Sequence, residues 1–138
     1  MSLFNIFDVA GSGMSAQSIR LNTVASNLSN ADNVSSSEAE AYRAKEPIFQ
    51  AIYDAVRGDG NNVNGVRVAS IKESTAPIQV RYMPGNPLAD AKGYVYGSNV
   101  NPIEEMVNMI SASRSYQNNV EVMNTSKQML LKTLTLGN

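Results

Sequence analysis

The stretch from Asn101 to Asn138 limits what this 138-residue chain can fold into more than any other. Asn101 is a natural N-cap, and Pro102 stands at the first helical position, where a missing N–H costs nothing. Glu104 falls three residues after the cap, the spacing of a capping box, and Glu104 with Glu105 complements the positive end of the helix dipole. At the far end Lys132 is expected in the last turn and Gly137 offers a C′ residue. No other glycine or proline interrupts the run. The spacing predicts one helix of about 34 residues, a rod on the order of 50 Å long. An ordinary helix runs about 11–12 residues.

Met106, Met109, Tyr116, Val120, Met123, Leu130 and Leu134 step by threes and fours along one seam, with Ser113 and Lys127 in the gaps. That is a heptad-like stripe. Ile103, Val107 and Ile110 widen its first turns and Leu131 its last. The opposite face is expected to be Asn108, Ser111, Ser115, Asn118, Asn119, Thr125 and Ser126. It is polar yet almost uncharged, whereas a solvated helix face usually intersperses lysine and glutamate. Such a face is suited to meeting other protein through neutral hydrogen-bonding groups.

A second helix is expected over Ser2 to Leu28. Leu3, Phe7, Ala10, Met14, Gln17, Leu21, Val24 and Leu28 alternate steps of four and three, with only Gln17 breaking the apolar run. Ser2 or Asn5 could cap it. Gly11 and Gly13 each cost about 1 kcal/mol relative to alanine in a helix interior, so in isolation this helix is marginal. Only Asp8 and Arg20 are charged before Leu28. After Pro102 the charges Glu104, Glu105, Arg114, Glu121, Lys127 and Lys132 cancel. Both ends are therefore long, heptad-patterned and electrically quiet, as two helices would be that pair with each other and with copies of themselves.

Composition excludes several classes of chemistry. The net charge of -1 gives no reason to expect nucleic acid or an anionic membrane as a partner. With no Cys there is neither a disulfide framework nor a thiolate metal site. With no His the usual general base, the common zinc ligand and every Ser-His triad are missing. No stretch reaches the roughly 20 apolar residues of a membrane span. Met1 to Gly13 contains Asp8 and no Lys or Arg, unlike a secretory leader. The expectation is a cytoplasmic chain, or one exported without leader cleavage.

Between the ends, Ser29 to Ala41 reads as a Ser- and Asn-rich linker. Strand patterns follow at Ile48–Tyr53 (where a short helix is the alternative), Val66 to Ile71, Ile78 to Tyr82 and Tyr94–Tyr96. Gly58 to Gly65 and Pro84 to Pro87 read as turns. This makes a β-rich unit of roughly 60 residues, near the lower size limit for an independent core. Candidate chemistry fails on inspection. Asp59 to Gly65 has Val63 at the fifth position of a calcium loop and no Glu at the twelfth. Glu104 and Glu105, as helix neighbours, diverge. Gly11-Ser12-Gly13 lacks the strand and lysine of a phosphate loop and reads as flexible or closely packed helix. The methionine seam is core before it is a peptide groove. Tyr82, Tyr94 and Tyr96 have no basic surroundings for stacking nucleobases, and core packing is expected for them. No enzyme, metal or cofactor is expected.

Leu21-Asn22-Thr23-Val24-Ala25-Ser26-Asn27-Leu28-Ser29-Asn30-Ala31 resembles the Asn-Asn-Leu-Ala-Asn motif of bacterial flagellar rod and hook proteins. Asn27, Leu28 and Asn30 match it; Ser26 and Ser29 depart from the commonest form. Glu104 to Gln117 and Thr133 to Gly137 resemble the closing helix of the proximal-rod branch of that axial family. Leu3-Phe4 through Ser18 and Tyr82-Met83-Pro84-Gly85-Asn86-Pro87 also fit. The resemblance implies an α+β fold: long terminal helices paired as a coiled-coil-like hairpin, with a small β-rich middle domain. It would divide the chain into 1–34 and 98–138, the inner helices, and 35–97, the linker and outer domain. It implies a structural subunit of the basal-body rod, the periplasmic drive shaft from motor to hook around the export channel. Self-association, other rod proteins, a hook-basal-body adaptor and the flagellar export apparatus are the implied partners, with no nucleic acid and no membrane insertion. The expected subunit contacts are Phe7, Ala10, Met14, Leu21, Val24, Asn27 and Leu28 on the first helix. On the second they are Met106, Met109, Ile110, Tyr116, Val120, Met123, Leu130 and Leu134. A soluble helical hairpin that binds a partner helix is the alternative.

Overall fold

The computed structural model describes Leu3–Tyr53 and Val63–Leu136. Ser2 as a cap, Gly58 to Asn62 of the expected loop, Gly137 as a C′ residue and the Leu3 side chain lie outside the described residues. In chain order the elements are α1 (Leu3–Ser29), β1 (Val34–Ser35), β2 (Lys45–Tyr53), β3 (Val63–Glu73), β4 (Val80–Tyr82), β5 (Tyr94–Gly97) and α2 (Pro102–Leu136). The architecture is α+β: two long helices around a small β region. Asn5 lies within α1 and is no cap. Lys132 stands just short of the last turn of α2, which carries no basic residue. Ile48–Tyr53 is strand, Gly65 belongs to β3, and the expected linker contains β1.

Capping follows elementary rules. The Ile103 N–H donates to Asn101 Oδ1 at 3.1 Å, and the Glu105 N–H donates to the Asn101 carbonyl at 3.0 Å. Glu104 makes no capping bond among the described residues; Glu105 is the acid that becomes fixed. At the end of α1 the Asn30 side chain donates to the Ser26 carbonyl at 2.8 Å, satisfying a terminal acceptor.

The two helices run antiparallel. Asn27 bonds Glu105, Arg20 bonds Asn108, Gly13 lies against Asn119 and Gly11 against Met123. On α2 the buried and half-buried line includes Glu105, Met109, Ala112, Asn119, Met123, Ser126 and Leu130. This corrects the expected seam at alternate positions. Ala112, Asn119 and Ser126 face inward, although Asn119 and Ser126 were expected on the outer face, while Met106, Lys127 and Leu134 stand exposed. The reason is steric. Where α1 offers Gly13, a Cβ would come within 2.8 Å of the Asn119 carboxamide, so the helices approach closely there, and the small Ala112 and Ser126 share the line with Met109, Met123 and Leu130. Every fully buried hydrophobic residue among those described is alanine or valine: Ala10, Ala16, Val24 and Ala112 between the helices, and Ala31, Ala41, Val95 and Val100 at the foot of the pair.

The β region is two separate sheets, β1-β5-β4 and β2-β3, both antiparallel. The β2–β3 ladder runs from Lys45↔Glu73 to Tyr53↔Val63 and rests against α1. Ser12 ties them together, its Oγ accepting from the Val66 N–H at 3.1 Å and donating to the Val9 carbonyl at 2.8 Å. Gly11-Ser12-Gly13 is thus the closely packed junction of α1, α2 and β3. Tyr82 and Tyr94 are not in a β core. Their rings meet edge to face at 5.3 Å on the surface, Tyr82 being 65% exposed. In the turn before β5, Asp90 accepts the backbone N–H groups of Tyr94 (2.9 Å) and Lys92 (2.8 Å). The Tyr94 bond leads in holding its carboxyl below the usual value of 3.8.

The two packed glycines respond oppositely to substitution. A Cβ at Gly11 meets only the Met123 methyl at 4.0 Å. Gly11→Ala is therefore expected to stabilise the protein by about 0.5–1 kcal/mol. Gly65 has φ of 150°, and a Cβ there would collide with the Ser12 hydroxyl. Gly65→Ala is expected to cost about 1–3 kcal/mol. Thermal unfolding of both variants checks this; a raised midpoint for Gly65→Ala would refute the junction.

Candidate assembly interface

Asn27 lies near the end of α1 and is 1% exposed. Its carboxamide uses its full hydrogen-bonding capacity. Nδ2 donates to the Lys45 carbonyl and to Glu105 Oε2, each at 2.9 Å. Oδ1 accepts from the Lys45 N–H at 2.9 Å and from the Tyr42 hydroxyl at 3.0 Å. Because Lys45 presents both a backbone donor and a backbone acceptor, the orientation of the amide is determined. Tyr42 gives its proton to Asn27, so Ser26 Oγ, 3.2 Å away, donates to the Tyr42 oxygen. One side chain thereby joins α1, the start of β2 and the first turn of α2.

Glu105 is buried with no cation within ion-pair distance among the described residues. Amide donors from Asn27 and, at 3.4 Å, Asn108 compensate it, and its place in the first turn puts it near the positive end of the helix dipole. A second polar cluster lies next to the cap of α2. Ser98 Oγ donates to the Ala31 carbonyl at 2.6 Å. Asn99 accepts the Ala44 N–H at 2.6 Å and donates to the carbonyl of Ala76 at 2.9 Å. Both ends of the helix pair's foot are thus tied by side-chain amides. Sequence reasoning attended to Asn27 through its motif and gave Glu105 only a dipole role. Nothing in the spacing pointed to Tyr42, Lys45, Ser98 or Asn99.

The expected contact residues divide into two groups. Ala10, Val24 and Asn27 are buried, and Phe7, Met14, Leu21, Leu28, Met109, Val120, Met123 and Leu130 are half-buried. Met106, Ile110, Tyr116 and Leu134 stand outside. Ile103 (71% exposed), Val107 (62%) and Ile110 (55%) form with Met106 an apolar stripe on the outer side of α2, and Leu131 and Leu134 form another near its end. Several large apolar side chains thus stand outside this helix pair, more than a self-sufficient hairpin would leave uncovered. The arrangement presents a surface for binding rather than a reaction centre. No helix among the described residues is long and apolar enough to cross a membrane.

Removing the Asn27 amide strands several buried groups at once. Asn27→Ala is expected to cost about 2–4 kcal/mol in urea unfolding. Asn27→Asp should cost more, because it sets a second carboxylate against Glu105, and Glu105→Gln in that background should recover part of the loss. An unchanged midpoint in Asn27→Ala would contradict the role given to Asn27.

Comparison with known proteins agrees with this geometry. The family described as flagella basal body rod protein matches residues 7–35, which hold most of α1 and the Asn27 motif. The family described as flagellar basal body rod FlgEFG protein C-terminal matches residues 91–136, from the turn before β5 through α2. The chain is 58% identical over 137 residues to the flagellar basal-body rod protein FlgC of Salmonella typhimurium, with 99% of each chain covered. It is equally similar to FlgC of Yersinia enterocolitica, again with 99% of each chain covered. To FlgC of Buchnera aphidicola subsp. Acyrthosiphon pisum it is 46% identical over 139 residues, with the same coverage. The two terminal matches bracket the helix pair that Asn27 and Glu105 hold together, and the chain belongs to the FlgC family of flagellar basal-body rod proteins.

Proposed function

We infer that this chain is a structural subunit of the flagellar basal-body rod, built into the shaft through its terminal helices. The observation that carries this is the apolar stripe Ile103–Met106–Val107–Ile110, turned away from α1 on a helix whose inner line is small and polar. Burying that stripe against other subunits would remove several large side chains from water, at about 1.5–3 kcal/mol for each one fully buried. The function is structural and not enzymatic.

The finer reading extends this. The helix pair packs in coiled-coil fashion and lines the inner tube of the proximal rod around the export channel, with residues 35–97 outside. Subunits reach the periplasm unfolded at their ends, through the flagellar export apparatus. Their neighbours are other rod proteins and a hook-basal-body adaptor. Helix packing on most sides would supply the stiffness that torque transmission needs. It also accounts for the scarcity of charge and the abundance of Ser, Asn, Gln and Thr on both helices. The terminal helices gain order on assembly, which costs chain entropy that intersubunit burial offsets.

Ile110→Asp places a charge on the outer stripe without disturbing the contact with α1. It is expected to abolish swimming and rod incorporation while the purified monomer keeps its circular dichroism spectrum. Normal swimming would refute the interface. Helix content of monomer and assembled rod, compared by circular dichroism, tests the ordering step, which equal values would eliminate.

A further inference from the structure

Gly11-Ser12-Gly13, which fails as a phosphate loop, joins three layers of the molecule within one turn of α1. On one side the Val66 N–H of β3 donates to Ser12 Oγ at 3.1 Å, and a Cβ at Gly65 would collide with that hydroxyl. On the other, a Cβ at Gly13 would come within 2.8 Å of the Asn119 carboxamide of α2. The same layers are joined a second time at the foot of the pair. There Asn27 holds both backbone groups of Lys45 in β2 and the Glu105 carboxylate of α2, each at 2.9 Å. Among the described residues no other hydrogen bond links α1 to the β2–β3 ladder. Ser12 and Asn27 stand about 22 Å apart along the axis of α1.

We propose that Ser12 is a shear key: with Asn27 it braces the β2–β3 ladder against the helix pair, so that torque passes between the layers of one subunit without slip. A ladder pinned at a single point can turn about that point. Pinned at two points this far apart it can only bend, and its own hydrogen bonds resist bending. Ser12 is suited to the part. Its hydroxyl also donates to the Val9 carbonyl at 2.8 Å, so its hydrogen and a lone pair are both committed between two backbones. Gly13 and Gly65 lack the side chains that would hold the layers apart. Close-packed interiors transmit strain, and these two joints set where it crosses from sheet to helices. This rests on the rod reading above, with the helices inside a shaft under torque and residues 35–97 outside. It names the residues that couple those two parts within a single subunit.

The test uses the full chain with Ser12→Ala. Ser18→Ala, at an exposed serine of the same helix, is the control and should match the parent in every readout. In the purified protein the Val66 N–H should exchange about tenfold faster in Ser12→Ala. The chain has no cysteine, so spin labels can be placed in chosen pairs. Ser15→Cys with Arg67→Cys reports near Ser12, and Asn22→Cys with Lys72→Cys reports near the foot; all four sites are exposed. Ser12→Ala should broaden the distance distribution of the first pair and leave that of the second unchanged, because the ladder then pivots on Asn27. Broadening of both pairs, or of neither, would overturn the brace. In cells with this chain as the only copy, Ser12→Ala should give the parent's number of basal bodies and normal swimming in dilute medium. Its speed should fall more steeply than the parent's as viscosity is raised. Fewer basal bodies, or the parent's response to viscosity, would overturn the role in torque. The rod reading is judged separately: it falls if cells lacking the chain still swim, whatever the labels report.

Discussion

The structure depends on one carboxamide. Asn27 pairs with both backbone groups of Lys45 as a neighbouring strand would, and with its remaining N–H it holds the Glu105 carboxylate. Without it the end of α1, the start of β2 and the start of α2 would have no shared anchor. A buried polar group is costly unless fully satisfied, and a satisfied one accepts only one arrangement of its partners. The Asn27 site therefore specifies register more than it drives collapse. Hydrophobic burial cannot serve that purpose here, because the fully buried hydrophobic residues described are all alanine or valine.

That weakness of the core follows from how the helices meet. Gly13, Ala112 and Ser126 let α1 and α2 approach closely, so the line of contact only half-buries Met109, Met123 and Leu130 and has no room for Ile103, Met106, Val107, Ile110 and Leu134. Those side chains are displaced to the outside. A monomer built this way satisfies most of its buried polar side-chain atoms internally, Gln17 Oε1 being the exception among the described residues, and leaves much of its apolar surface exposed. On the rod-subunit reading proposed above, fold and assembly are two stages of one burial process, with amide hydrogen bonds directing the first and large aliphatic groups driving the second.

Much of the architecture was legible in the sequence, for local reasons. Asn101 and Pro102 mark the start of α2 by chemistry acting within one turn, and the threes-and-fours period marks both helices. What escaped depends on distance along the chain. Asn27 meets Glu105 across 78 residues, and no periodicity reports such a contact. The inner seam was misread at alternate positions because a hydrophobic pattern marks the residues that seek burial anywhere. In this protein many of those residues stand exposed on the outer side of α2, and Ala112, Asn119 and Ser126 take places on the line of close contact. Of the three tyrosines expected in a β core, Tyr82 and Tyr94 stand exposed and Tyr96 is half-buried, since two sheets of two and three strands enclose too little volume to cover them all.

The decisive measurement is the accessibility of the outer stripe before and after assembly. With Ile110→Cys as the sole thiol, a water-soluble maleimide should label the purified monomer fast, as expected for a side chain 55% exposed. In isolated basal bodies the same thiol should be protected, while a thiol placed at an exposed β-region site such as Lys92 should react equally in both. Equal reactivity of residue 110 in monomer and rod would contradict the account.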